Sequence, residues 1–184
     1  MKVLGLVGEK GSGKQTFVNF LKQLYPYLNT RQVRFSDILA ETLLIWDIPI
    51  TRANLQKLSL IMNDAFGQAS LANAAKFNIA DDSSNVIILD GIRRKAELEL
   101  VRKFKNNLLL YITAKRDLRY QRLKLRSEKV GEVGLTYQQF LAEEKSQAEA
   151  EIPYLGKKAL FKIENNNTLS EFKKQVEKFA SCLI

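Results

Sequence analysis

At 184 residues, with 46% hydrophobic and 27% charged side chains, the chain suits one globular domain with a substantial core. A formal net charge of +9 points to anionic partners, either nucleic acid or phosphorylated small molecules. No histidine is present, which excludes Ser-His-Asp hydrolysis and histidine-ligated metals, and the single cysteine, Cys182, excludes an internal disulfide or a multi-cysteine zinc site. The apolar runs are too short to cross a bilayer, and the first is broken at Glu9-Lys10, as expected of a strand and not of a secretion signal. These features predict a cytoplasmic protein without membrane attachment.

Val3–Val7 reads as a buried strand, and Gly8-Glu9-Lys10-Gly11-Ser12-Gly13-Lys14-Gln15-Thr16 follows it directly. Strand, glycine loop and helix in that order make a phosphate-binding loop, whose backbone N–H groups curl around an anion at the positive end of a helix. Gly8, Gly11, Ser12, Gly13, Lys14, Gln15 and Thr16 are therefore nucleotide-contacting candidates, with Lys14 supplying charge to the terminal phosphates. Gln15 stands where the strict pattern has Ser or Thr, and Thr16 comes next. A glycine-rich turn beside a solvated lysine is the bland alternative, and the flanking strand and helix speak against it.

Phe17, Leu21 and Leu24 mark the buried face of the first helix, which ends near Tyr25-Pro26. Gln32–Ser36 is a short strand, and Asp37 N-caps a second helix with Ile38, Thr42, Ile45 and Trp46 on its apolar side, Trp46 belonging to the core. Thr51 caps a third helix carrying Leu55, Leu58, Met62 and Ala65; Gly67 interrupts it, and Gln68–Asn78 is again helical. Val86–Leu89 is apolar throughout, as in a strand buried on both faces of a parallel sheet. A charged helix (Arg94–Phe104), a strand (Leu108–Thr113) and a basic helix (Lys115–Ser127) follow. Residues 127–136, with Gly131 and Gly134, have the composition of a lid. Thr136–Ala150 is helical, Pro153 ends that region, and Leu160–Glu164 is the last strand. Thr168-Leu169-Ser170-Glu171 is a capping box for a final helix with core positions Leu169, Phe172, Val176 and Phe179. The alternation predicts an α/β fold, a doubly wound, five-stranded parallel sheet flanked by helices, as one domain over residues 1–184.

Ligands of such sheets bind beyond the carboxyl ends of the strands, so the polar residues there carry the chemistry. Asp90 is placed to hold Mg²⁺, with a turn aspartate as the alternative, and Thr16 is the second metal candidate. Asp37 could orient or deprotonate an acceptor hydroxyl; an N-cap explains it as well. Arg93 lies three residues beyond Asp90, within reach of an acceptor phosphate, while Arg94 reads as solvated. Arg119, Arg122 and Arg126 share one helical face beside the lid, either neutralising a transferring phosphoryl group or forming a solvated basic face. Asn165 and Asn166 follow the last strand, where they could meet an adenine edge or simply shape a turn.

With these residues in view, the chain resembles the small phosphate-loop kinases of nucleotides and related metabolites. Gly8-x-x-Gly11-x-Gly13-Lys14-x-Thr16 is similar to the loop of adenylate kinases and phage deoxynucleoside monophosphate kinases, where threonine often comes one place later. Asp90-Gly91-Ile92-Arg93 resembles their Asp-Gly-x-x-Arg segment, in which the arginine binds the acceptor phosphate. Arg122-x-x-x-Arg126 matches the arginine pair entering their lid, and Ile163–Leu169 resembles the adenine-side loop of dephospho-coenzyme A kinases. The resemblance extends to kinase-like proteins of archaea and uncultivated bacteria. It implies ATP and Mg²⁺ as cofactors, an acceptor-binding helical section at 37–80, and Lys14, Asp37, Arg93, Arg122 and Arg126 as the catalytic set, with Arg119 undecided. The expected partner is a small phosphorylated acceptor, a nucleoside monophosphate before dephospho-coenzyme A. Nucleic acid is disfavoured because aromatic residues are not interleaved with the basic ones. A nucleotide-binding regulatory ATPase contacting RNA or a protein is the rival of another class, and loss of chemistry a third, hinted at only by Gln15.

Overall fold

A computed structural model describes residues 1–125, 135–147 and 149–184. Five strands, β1 (Lys2–Val7), β2 (Thr30–Arg34), β3 (Val86–Ile92), β4 (Asn107–Thr113) and β5 (Phe161–Glu164), form one sheet in the order β2-β3-β1-β4-β5. All neighbours are parallel. The described helices are α1 (Lys14–Leu24), α2 (Phe35–Ile45), α3 (Arg52–Phe66), α4 (Ser70–Asn78), α5 (Lys95–Arg102), α6 (Arg116–Lys124), α7 (Tyr137–Glu144), α8 (Ile152–Gly156) and α9 (Leu169–Ala180).

The central strands are apolar through their middles because both faces are covered, and successive side chains sort to opposite faces. Leu4, Leu6, Ile88 and Leu110 pack with Phe17 and Leu21 of α1 and Phe172, Val176 and Phe179 of α9. Val3, Val7, Ile87 and Leu89 pack with Leu98 and Val101 of α5 and Ile152 and Leu155 of α8. Each such fully buried side chain stabilises the fold by roughly 1.5–3 kcal/mol, so the sheet and its two helical layers form the rigid body of the molecule.

Helices α2 and α4 reach the main core through Phe35, Ala72 and Ala75, whereas α3 is held through a second contact. Leu39, Leu43 and Leu55 make a separate small cluster, with Ala40, Leu58 and Leu71 against it. Another cluster, Leu123, Leu135 and Phe140, joins α6 to α7.

Several expectations are corrected. Strand β2 ends at Arg34, two residues before the Ser36 end read from sequence, and α2 starts at Phe35 with Arg34 as N-cap; Asp37 is a first-turn residue, not the cap. The buried stripe of α2 is Phe35, Leu39 and Leu43, which leaves Trp46 73% exposed. This stripe, starting three positions before Ile38, outcompetes the face containing Ile45 and Trp46. Pro153 does not end a helix; it sits in the first turn of α8, where its missing N–H costs nothing. Leu169 is exposed, not core. The caps at Thr51 and Thr168 form as the sequence predicts, their hydroxyls accepting from Asn54 N and Glu171 N. Arg126 and residues 127–134 of the lid lie outside the described residues.

Candidate functional site

The loop between β1 and α1 opens into a cavity of about 710 Å³ at the carboxyl edge of the sheet. Gly11 and Gly13 both have positive φ, 72° and 105°. A Cβ on Gly13 would lie 2.3 Å from Asn165 Nδ2, and one on Gly11 would lie 2.6 Å from the Arg119 carbonyl, so these two positions require glycine. Gly13 is also the N-cap of α1 and brings no capping side chain, which leaves the first-turn N–H groups to a ligand. Lys14 is folded back onto the loop, its Nζ donating to the Gly8 and Glu9 carbonyls at 2.6 and 3.1 Å. Burial of that ammonium lowers its pKa, against the opposing pull of Asp90. An incoming phosphate would restore the charge it prefers to face.

Three residues outside the loop hold its shape. Asn165, 6% exposed, donates from Nδ2 to the Ser12 carbonyl at 2.9 Å, while its own N–H bonds Thr113 at the end of β4. Arg122 reaches the Asn165 carbonyl at 3.0 Å and the Gly11 carbonyl at 3.4 Å, and burial pulls its pKa down. Arg119, also 6% exposed, donates to Ala114 at 3.0 Å and pairs with Glu144 at 2.5 Å, with its guanidinium over the Phe140 ring. Behind the loop, the Tyr111 hydroxyl donates to Glu9, and burial pushes the Tyr111 pKa up to about 12.

On the other side of the cavity, Arg93 Nη1 stands 3.3 Å from Glu149 Oε1. The Arg93 and Arg94 N–H groups both donate to Glu97 Oε2, at 2.6 and 3.1 Å. Glu97 is a buried first-turn carboxylate of α5, and burial raises its pKa. It fixes the turn from which Arg93 projects.

Asp90, 5% exposed, lines the cavity. Its Oδ2 accepts from Gln32 at 2.8 Å, whereas its buried Oδ1 has no hydrogen-bond partner among the described residues. That orphaned oxygen fits a cation or a cation-bound water. No group of three or more carboxylate or cysteine side chains able to hold a metal occurs among the described residues. A site of one carboxylate completed by ligand phosphates suits Mg²⁺, which keeps several waters.

The cavity wall thus brings together Gly11, Ser12, Gly13, Lys14, Gln15, Thr16, Asp90, Arg93, Arg122 and Asn165. Gly8 stands behind it, held against the Ile112 carbonyl. Asp37 is exposed and is not part of the wall. Asn166 turns away, accepting from Lys115 N at 2.7 Å, while Asn167 and Leu169 take its place at the cavity. Arg34, Glu97 and Glu149 escape the sequence reading. Arg34 would have been found had β2 been ended two residues earlier. Glu149 carries no sequence signal, because only the tertiary fold brings it to Arg93.

No protein-family model matches the chain. In sequence it is similar to the UPF0200 protein PH1008 of Pyrococcus horikoshii, 27% identical over 188 residues that span 99% of this chain and 97% of the relative. UPF0200 protein TK1334 of Thermococcus kodakarensis is 26% identical over 187 residues, 97% of this chain and 96% of the relative. Among solved structures, shikimate kinase from Bacteroides thetaiotaomicron superposes with a TM-score of 0.64 at 15% identity, covering 99% of this chain and 98% of the other. Shikimate kinase from Acinetobacter baumannii in complex with shikimate gives 0.59 at 16% identity, covering 98% and 92%. The chain shares its fold, a five-stranded parallel sheet flanked by helices, with these two shikimate kinases.

Proposed function

We propose that the protein is an ATP- and Mg²⁺-dependent phosphotransferase acting on a small phosphorylated acceptor, first among them a nucleoside or deoxynucleoside monophosphate. The observation that carries this reading is one cavity lined by a glycine loop with Lys14, by a carboxylate with a free oxygen (Asp90), and by arginines from two sides, Arg122 and Arg93. The loop amides and Lys14 bind the donor phosphates. Asp90, with Thr16 on the same wall, would hold the metal, which would supply charge neutralisation to the transferring phosphoryl group. Arg93 holds the acceptor, exchanging its Glu149 partner for an acceptor anion, and Arg122 closes the donor side. Catalysis is positioning and electrostatic stabilisation, which needs no histidine.

The exposed position of Asp37 favours an acceptor that is already ionised over one whose hydroxyl must be deprotonated, such as dephospho-coenzyme A. The test is phosphoryl transfer from ATP to a panel of nucleoside monophosphates, dephospho-coenzyme A and shikimate. Turnover of a monophosphate that Asp37→Asn reduces less than about tenfold supports the reading. ATP hydrolysis without transfer to any acceptor, joined to steeply salt-dependent RNA binding, would replace it with the regulatory ATPase.

A further inference from the structure

Arg34 ends β2 at the carboxyl edge of the sheet, in register with Asp90, and lines the cavity. Its Nη2 donates to Gln15 Oε1, and its Nε stands 3.7 Å from Asp90 Oδ2. The same Gln15 oxygen accepts from Gln32 Nε2 at 3.1 Å, and that amide also reaches Asp90 Oδ2 at 2.8 Å. Gln15 Nε2 is fixed in turn on Asn19 Oδ1 at 2.7 Å. The residue after the loop lysine is thus tied at both ends of its amide. With two donors already on Oε1, it is built to hold β2 side chains, not a metal. Serine or threonine, lacking a carboxamide on Cγ, would not span the same gap.

We propose that Arg34 contacts the terminal phosphoryl group of the bound nucleoside triphosphate, and that Gln15 is its positioning residue. The proposal rests on the phosphotransfer reading for its ligand. The loop amides and Lys14 approach the donor phosphates from one side. Arg34 comes from the neighbouring strand, across Asp90, and the acceptor-side helix α2 begins at the very next residue. That side is where the last phosphoryl group leaves the loop. A guanidinium keeps further donors when one N–H is engaged, so the bond to Gln15 aims Arg34 without consuming it.

The test is calorimetric titration of the full chain with Mg·ATP and Mg·ADP. Arg34→Gln is expected to weaken ATP about tenfold while ADP stays within about twofold, the size of one charge-assisted hydrogen bond. Gln15→Ser should show the same ATP-selective loss, about three- to tenfold, although it restores the usual hydroxyl. Gln15→Glu, which keeps the acceptor oxygen, should retain the preference for ATP, and the double variant Gln15→Ser with Arg34→Gln should be no worse than Arg34→Gln alone. Equal weakening of ATP and ADP, full ATP affinity in Gln15→Ser, or additive losses would overturn the proposal. Arg34-dependent discrimination of ATP from ADP with no acceptor turned over refutes the kinase reading and leaves Arg34 in place. Phosphoryl transfer with discrimination untouched by Arg34→Gln does the reverse, and binding of neither nucleotide overturns both.

Discussion

The loop side of the cavity and the side formed by α2 and α3 are built on different principles. Around the loop, Asn165, Arg119 and Arg122 reach in from two other elements to hold the Ser12, Lys10 and Gly11 carbonyls, and the strand beneath is buried from Val3 to Val7. Across the cavity, α2, α3 and α4 share a small leucine cluster and leave Ile45, Trp46, Phe66 and Phe77 in solvent. A phosphate loop must be shaped before its ligand arrives, because its work is electrostatic preorganisation. Under the proposed function, helices that close over an acceptor need the opposite, a low cost of local opening.

The contrast can be broken most severely at Arg119. Its pair with Glu144 is shielded from water, so Arg119→Met is expected to cost about 3 kcal/mol in urea unfolding and to weaken nucleotide binding through the loop. A loss below about 1 kcal/mol would class the pair with ordinary surface bridges. Next comes Leu55→Ala in the acceptor cluster, expected to cost about 2 kcal/mol. Its effect should be local: hydrogen exchange of α3 amides accelerates while α1 and the strands keep their protection. Uniform acceleration would mean that the two sides unfold as one unit.

A smaller effect follows from Lys14. Its folded pKa is lowered, so the charged form is penalised in the unliganded protein. The unliganded fold should therefore gain stability as pH rises through the lowered value toward the ordinary lysine value of about 10.4. Bound phosphate favours the ammonium, so the ATP-induced rise in melting temperature should shrink over the same window. A rise that stays constant as pH climbs toward the ordinary lysine value would contradict burial as the dominant influence. The smallest effect is expected at Trp46→Ser, within about 0.5 kcal/mol, because the ring is exposed. A larger loss in thermal unfolding would show that the α2–α3 connection is packed after all.

The alternation of apolar strands with amphipathic helices was legible in the sequence because both signals are local. So was the glycine loop, whose strand–loop–helix context is written in consecutive residues. The caps at Thr51 and Thr168 are equally local, each a hydroxyl and a backbone N–H three residues apart. What failed was anything decided by competition between faces or by distant partners. Trp46 was placed in the core because an apolar stripe through it exists; the leucine stripe of Leu39 and Leu43 wins because it meets Leu55. Arg119 and Arg122 occupy one helical face in sequence, yet the fold gives the first a buried ion pair and a place against the loop backbone, and the second a place at the cavity. The sequence alone determined the strand, glycine loop and helix at Gly8–Thr16, and with them the expectation of an anion site. Only the tertiary structure decided which cations face it, because a side chain's neighbours across a parallel sheet come from strands far apart in the chain, as Gln15, Arg34 and Asp90 do.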